Sequence, residues 1–167
     1  MSDKETALLS LDRGELYDRL FKERRYCGVE DIFSSLRDRK QPAGWIKIVG
    51  RAGTGKTTLT HYLAYRWGRQ DSLWDNRFDV VFRVKLNLLA QGSNFRAQGN
   101  VATYLAALIF ASLEKSALLD ESTILQFLQN RAVVVLLLLP GFDEIADLYV
   151  ANADVKNIVD YALSLPN

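Results

Sequence analysis

The sequence is short of the residues that metal and redox chemistry use. Among 167 residues there is one cysteine, Cys27, and one histidine, His61. A single cysteine excludes an internal disulfide framework and a cysteine-only zinc site. A single histidine excludes a histidine-rich metal centre, and any catalytic triad would have to be built around it. Nor is there a surplus of one charge, since 21 basic side chains face 20 acidic ones. An electrostatic nucleic-acid binder carries a clear basic excess, so that class is set aside. The longest unbroken apolar run, Ala132 to Leu139, has eight residues, whereas a helix needs roughly 20 to span a bilayer. Met1 to Ser10 mixes Asp3, Lys4 and Glu5 with a short apolar stretch, unlike an export signal. There is no internal repeat. Together these absences read as a cytoplasmic chain with no membrane partner, in which Cys27 is a reduced structural thiol.

What is present is an ordinary globular composition, with 49% hydrophobic and 25% charged residues. That excludes disordered and low-complexity classes, and the length suits one domain. The charges are segregated. Residues 1–40 hold nine basic and nine acidic groups, residues 41–100 nine and three, and residues 101–167 three and eight. A neutral total therefore hides a basic middle and an acidic end.

The apolar spacing alternates helices with strands. Residues 12–40 read as a helical lead-in, with Asp12 and Glu15 at capping-box spacing and Gly28 as a break. Gln41 to Gly44 is a loop. Trp45 to Val49 is short, largely apolar and β-branched, a candidate buried strand. Lys56 to Arg69 reads as a helix with Leu59, Leu63 and Trp67 on one face. Phe78 to Leu86 is a second strand, 91–100 a loop, Val101 to Leu119 a long helix and Ser122 to Gln129 a shorter one. Ala132 to Leu139 is a Val/Leu run without alternation, as a strand covered on both faces requires. Asp154 to Leu163 closes the chain as a helix. Such alternation predicts an α/β fold with a mainly parallel sheet between helical layers, a three-layer sandwich. Ligands in such sheets sit at the carboxyl ends of the strands.

The informative residues fall there. Gly50-Arg51-Ala52-Gly53-Thr54-Gly55-Lys56-Thr57 fits the Walker A phosphate loop at every fixed position. A triphosphate needs many hydrogen-bond donors around a small anion, and backbone N–H groups supply them only if the chain curls tightly. Gly50, Gly53 and Gly55 permit that curl, and the helix beginning near Lys56 turns its positive end to the phosphates. Lys56 reaches the β- and γ-phosphates, the Thr57 hydroxyl coordinates Mg²⁺, and Thr58 is a further phosphate contact. Arg51 within the loop touches a phosphate or faces solvent. By chance, a chain of this length matches on the order of once per hundred or more. Some 80 residues on, the apolar strand runs into Pro140-Gly141-Phe142-Asp143-Glu144. That is the Walker B arrangement, in which one carboxylate holds the magnesium shell and another acts on the attacking water.

These segments, GRAGTGKTTLTHYLAYRW, LWDNRFDVVFRVKLNLL and VVVLLLLPGFDEIADL, resemble a NACHT domain, the nucleotide-binding module of the STAND class of P-loop NTPases, and in particular bacterial NACHT proteins. The resemblance covers about residues 45–150. It implies a helical lead-in over 1–44 and a P-loop core over 45–167. It implies ATP or GTP with Mg²⁺ as cofactors, slow regulatory hydrolysis, and a switch between closed and oligomerising states. Its partners would be other domains of a longer chain, such as a winged helix and repeats, and further copies of itself. Asp143 and Glu144 would be catalytic, and Thr57 and Asp143 would hold the metal.

The sequence departs from the family in two places. Pro140 stands where the family's first Walker B Asp is expected, and proline offers neither a carboxylate nor an N–H. This motivates an alternative reading, a nucleotide-binding scaffold without turnover. Asn87-Leu88-Leu89 replaces an Arg-Glu-Leu-like sequence at the end of the second strand. A small-molecule kinase would carry an arginine-bearing lid late in the chain, where only Lys115, Arg131 and Lys156 are basic. The family's sheet also inserts a sensor strand between the two motif strands, and Leu165-Pro166-Asn167 falls where that strand would begin. The expectation is thus an incomplete core whose two motif strands either pair directly or leave a gap. Trp45, Trp67 and Trp74 are expected in the core, His61 on an exposed helix face, and Arg24 and Arg25 on a solvated one.

Overall fold

The computed structural model describes residues 28–33, 45–69, 73–91, 100–113 and 119–165. Most of the lead-in, with Cys27, Arg24, Arg25 and Pro42, lies outside the described residues, as do Lys115 and most of the 91–100 loop.

Among the described residues two strands form, β1 at Val80–Arg83 and β2 at Val135–Leu138. They pair in parallel with Val80 opposite Val135 and Arg83 opposite Leu138. Between them the chain crosses over through α2 (Val101–Ser112) and α3 (Glu121–Gln129). Helix α1 (Lys56–Gly68) precedes the sheet, and α4 (Ala146–Ala151) and α5 (Ala153–Ser164) follow it.

The pleat sends alternate side chains to opposite faces. On one face Phe82, Val84 and Val135 join Leu105, Leu108 and Ile109 of α2, Ile124 of α3 and Val159 of α5. On the other, Leu138, with Val81, Val134 and Leu136, meets Leu63 of α1 and Leu73, Trp74 and Phe78. The Val/Leu run therefore lacks alternation because both faces are apolar, as the sequence predicts. Residues such as Leu108, Ile109 and Ile124 are wholly buried, and burial of this kind is the main drive for ordering the crossover.

Several boundaries contract. The Ala132–Leu139 run pairs only over Val135–Leu138. Asn130 bends the chain just before, its side chain accepting from the Ala132 N–H at 3.0 Å and its carbonyl from the Val133 N–H. Leu86 leaves the second strand and opens a 3-10 helix, Leu86–Gln91. The exit is held by buried Ser112, whose hydroxyl accepts from the Lys85 N–H at 2.9 Å and donates to the Leu108 carbonyl. The helix predicted from Val101 leaves α-geometry at Leu113, which is extended. Helix α4 had no clear periodic signal, being only six residues long.

The expected strand at Trp45–Val49 does not form. Residues 45–50 take no regular structure and all are exposed, Val49 at 79% and Trp45 at 59%. A strand is stabilised by the backbone beside it, and among the described residues none pairs with this segment. The two motif strands therefore do not pair with each other, and Trp45 is not a core residue. Trp74 is. It is buried, with its indole N–H donating to the Val29 carbonyl at 2.7 Å and its ring edge-on to Phe33 and Phe78. These contacts hold Trp74 and Asp75 at φ 60° and 53°, a left-handed conformation that residues other than glycine seldom adopt. Trp67 is half-buried and donates to the Phe78 carbonyl at 3.2 Å.

Candidate nucleotide-binding site

The phosphate loop is shaped by its glycines. Gly53 and Gly55 have φ of 78° and 86°, where a side chain would be strained. Gly50 is constrained by space, since an added Cβ would lie 2.6 Å from the Thr54 hydroxyl oxygen. That hydroxyl folds the loop inward, donating to the Arg51 carbonyl at 2.8 Å. Gly55 then ends the loop and α1 begins at Lys56. The first N–H groups of a helix have no intrahelical acceptor, so they and the helix dipole face the loop.

Lys56 is the centre of the site. Its ammonium donates to the Gly50 carbonyl at 2.8 Å and the Arg51 carbonyl at 3.0 Å. It also lies 3.8 Å from Asp143 Oδ2. The last contact joins residues 87 positions apart, so it is made by the fold and not by the loop. Arg51, Ala52, Thr54, Thr57 and Thr58 are exposed. Exposed glycine curls, a helix N-terminus, a lysine and a hydroxyl form a donor set suited to a phosphate chain and a divalent cation.

The acidic side of the site hangs from β2. Pro140 follows the strand, and its carbonyl accepts from the Leu86 N–H at 3.3 Å. Gly141 turns the chain with φ 86°, and the 3-10 turn Phe142–Glu144 follows. Its Asp143 and Glu144 are exposed, with Asp143 at 66%. Beneath them Ile145 is wholly buried, and Phe142 stands edge-on to Tyr149 of α4. The turn also lies against the β1 exit, since a Cβ added at Gly141 would stand 3.6 Å from the Asn87 nitrogen. The structure thus brings Lys56 and Asp143 together, and Glu144 follows Asp143 in the same exposed turn. His61 faces solvent. Among the described residues no three His, Cys, Asp or Glu side chains gather as a metal-holding group. A cation here would rest on the Thr57 hydroxyl and Asp143, with phosphate oxygens and water completing its shell.

Two polar residues near the site escaped the sequence reading. Arg83, the last residue of β1, donates through Nε to the Thr60 hydroxyl at 3.1 Å. Thr60 in turn donates to the Thr57 carbonyl at 2.8 Å. The only sequence signal was a threonine three residues after Thr57, which helical spacing makes commonplace.

Comparison with known proteins follows the same lines. The family profile described as "NACHT domain" matches residues 45–159. Protein NLRC5 of Homo sapiens is 31% identical over 116 residues, covering 70% of this chain and 6% of the relative. Protein NLRC5 of Mus musculus is 30% identical over 118 residues, covering 70% of this chain and 5% of the relative. The chain therefore spans a small fraction of the length of these curated relatives. No solved structure matches.

Proposed function

The chain belongs to the NACHT domain family, and on that premise we propose that it binds ATP, or GTP, with Mg²⁺ and hydrolyses it slowly as a signalling switch. The observation that carries this reading is the 3.8 Å approach of Lys56 to Asp143. It unites the phosphate loop and the acidic turn at the carboxyl ends of a parallel strand pair, where α/β sheets hold ligands.

In this reading the amides from Gly50 to Thr58 and the start of α1 hold the phosphates. Lys56 exchanges its two loop carbonyls for β- and γ-phosphate oxygens, a charge-assisted replacement for neutral acceptors. Thr57 and Asp143 hold the cation, and Glu144 takes the water proton as general base. The magnesium nucleotide, when bound, supplies the phosphoryl group. The remaining proposals follow from family membership: a cytoplasmic setting, STAND-type signalling, action within a longer chain, and self-association. The division into a lead-in over 1–44 and a core over 45–167 is proposed on the same footing.

A second reading, a nucleotide-binding scaffold without turnover, is favoured by Pro140, which leaves no carboxylate directly after β2. One pair of assays decides between them. Binding of a fluorescent ATP or GTP analogue should weaken about 10- to 100-fold in Lys56→Ala, as loss of charge-assisted hydrogen bonds predicts. Unchanged binding there would remove the nucleotide site altogether. Phosphate release that stops in Glu144→Gln while binding persists supports the switch. Absence of release from the wild-type chain with binding intact supports the scaffold, and Pro140→Asp should then raise magnesium dependence.

A further inference from the structure

We propose that Arg83 is a positioning residue for the metal side of the phosphate loop, acting through Thr60 on Thr57. The inference rests on the nucleotide reading of that loop and extends it to a residue outside both sequence motifs.

The geometry is a relay. Arg83 closes β1 and is half-buried. Its Nε–H reaches the Thr60 hydroxyl at 3.1 Å. The hydroxyl spends its single proton on the Thr57 carbonyl at 2.8 Å, leaving its lone pairs for the guanidinium. Each bond thus fixes the direction of the other. Thr60 lies one turn beyond Thr57 on α1, so holding Thr60 sets the rotation of the helix that presents the Thr57 hydroxyl.

The far end of the relay matters as much. Arg83 is in register with Leu138, and the Val84 N–H just beyond it donates to the Leu138 carbonyl at 2.9 Å. Five residues past Leu138 stands Asp143. The chain of contacts from Thr57 through Thr60, Arg83 and Leu138 therefore returns to the acidic turn. Its two ends meet across Lys56 and Asp143. Thr57 and Asp143 would share a cation only while α1 and the acidic turn keep their relative placement. Arg83 couples the helix bearing one to the strand pair bearing the other. Lysine keeps the charge of arginine but lacks the directional Nε–H, which gives a variant that separates charge from geometry.

The experiment titrates a fluorescent ATP analogue in excess Mg²⁺ and again in EDTA, for the wild type, Thr60→Val, Thr60→Ser, Arg83→Lys and the double variant Thr60→Val/Arg83→Lys. Thr60→Val and Arg83→Lys should each weaken binding with Mg²⁺ about 3- to 10-fold, the range of one hydrogen bond. Binding in EDTA should change by less than about twofold on the same arithmetic. Thr60→Ser should restore the wild-type value, and the double variant should be no weaker than either single, because both cut the same chain. Equal losses with and without Mg²⁺, additive losses, or no rescue by serine would each overturn the proposal. If the wild type binds no nucleotide, or Lys56→Ala binds as well as wild type, the nucleotide reading fails. Hydrogen exchange at the amides of residues 57–60 then judges the relay alone: protection lost in both variants upholds it, and unchanged protection overturns it.

Discussion

Gly141 stands between the strand that carries the acidic residues and the turn that presents them. Its φ is 86°, yet an added Cβ would meet nothing closer than 3.5 Å. The cost of Gly141→Ala is therefore conformational rather than steric, about 1–2 kcal/mol. Equilibrium denaturation should show that loss, and binding should weaken further if the turn relaxes by moving Asp143 away from Lys56. Gly50 is the opposite case. The 2.6 Å contact with Thr54 makes its requirement one of space. Both kinds of glycine were legible as positions in a motif, but the sequence could not tell which constraint held at which site. Nor could it show that Lys56 uses the Gly50 and Arg51 carbonyls, because that depends on how far the loop curls.

Elements are set by their ends as much as by their faces. Asn100, Asp120 and Asn152 cap α2, α3 and α5, each accepting backbone N–H groups of the first turn. The Asp120 carboxyl is held below its usual range, first by the Thr123 backbone N–H and then by the Thr123 and Ser122 side chains. A carboxyl lowered on folding stabilises the fold above its ordinary value, near 4, and that contribution is lost as pH falls through the lowered value. Acid unfolding followed by circular dichroism should show less loss of helix below about pH 4 in Asp120→Asn, which keeps a cap but does not titrate. Asp160 is lowered for a different reason. Its carboxylate takes the Lys156 ammonium and then the Tyr149 hydroxyl, fastening α5 to α4 behind the acidic turn. Asn and Asp are residue types that favour such caps, but none of these three is identified as a cap from the sequence. That the strand expected at Trp45–Val49 does not form is not legible in the sequence, because β-branched composition states a preference for pairing and cannot supply the neighbour.

At the scale of the molecule, the site exists because two strands run parallel and end together. If nucleotide binds only the folded chain, ligand at about 100 times its Kd should raise the unfolding free energy by about 2.7 kcal/mol. Denaturation with and without nucleotide measures this, and at the same ligand concentration Lys56→Ala should cut the gain to about 0.4–1.4 kcal/mol, as its 10- to 100-fold weaker binding requires. An undiminished gain in Lys56→Ala would place the ligand elsewhere. No helix among the described residues is long and apolar enough to cross a membrane, in line with the short apolar runs of the sequence.

The sequence by itself determined the chemistry of the loop, the acidic character of the turn and the double-faced burial of the Val/Leu strand. These are local: each follows from residue type at fixed spacing, where dihedral freedom, charge and apolar period act within a few residues. Tertiary structure alone decided that Trp45–Val49 finds no strand partner among the described residues and that Trp74 enters the core. It alone set Asp143 beside Lys56 and tied Arg83 to the phosphate-loop helix through Thr60. Those outcomes depend on which backbones and side chains meet across tens of residues, and no local pattern encodes the partner.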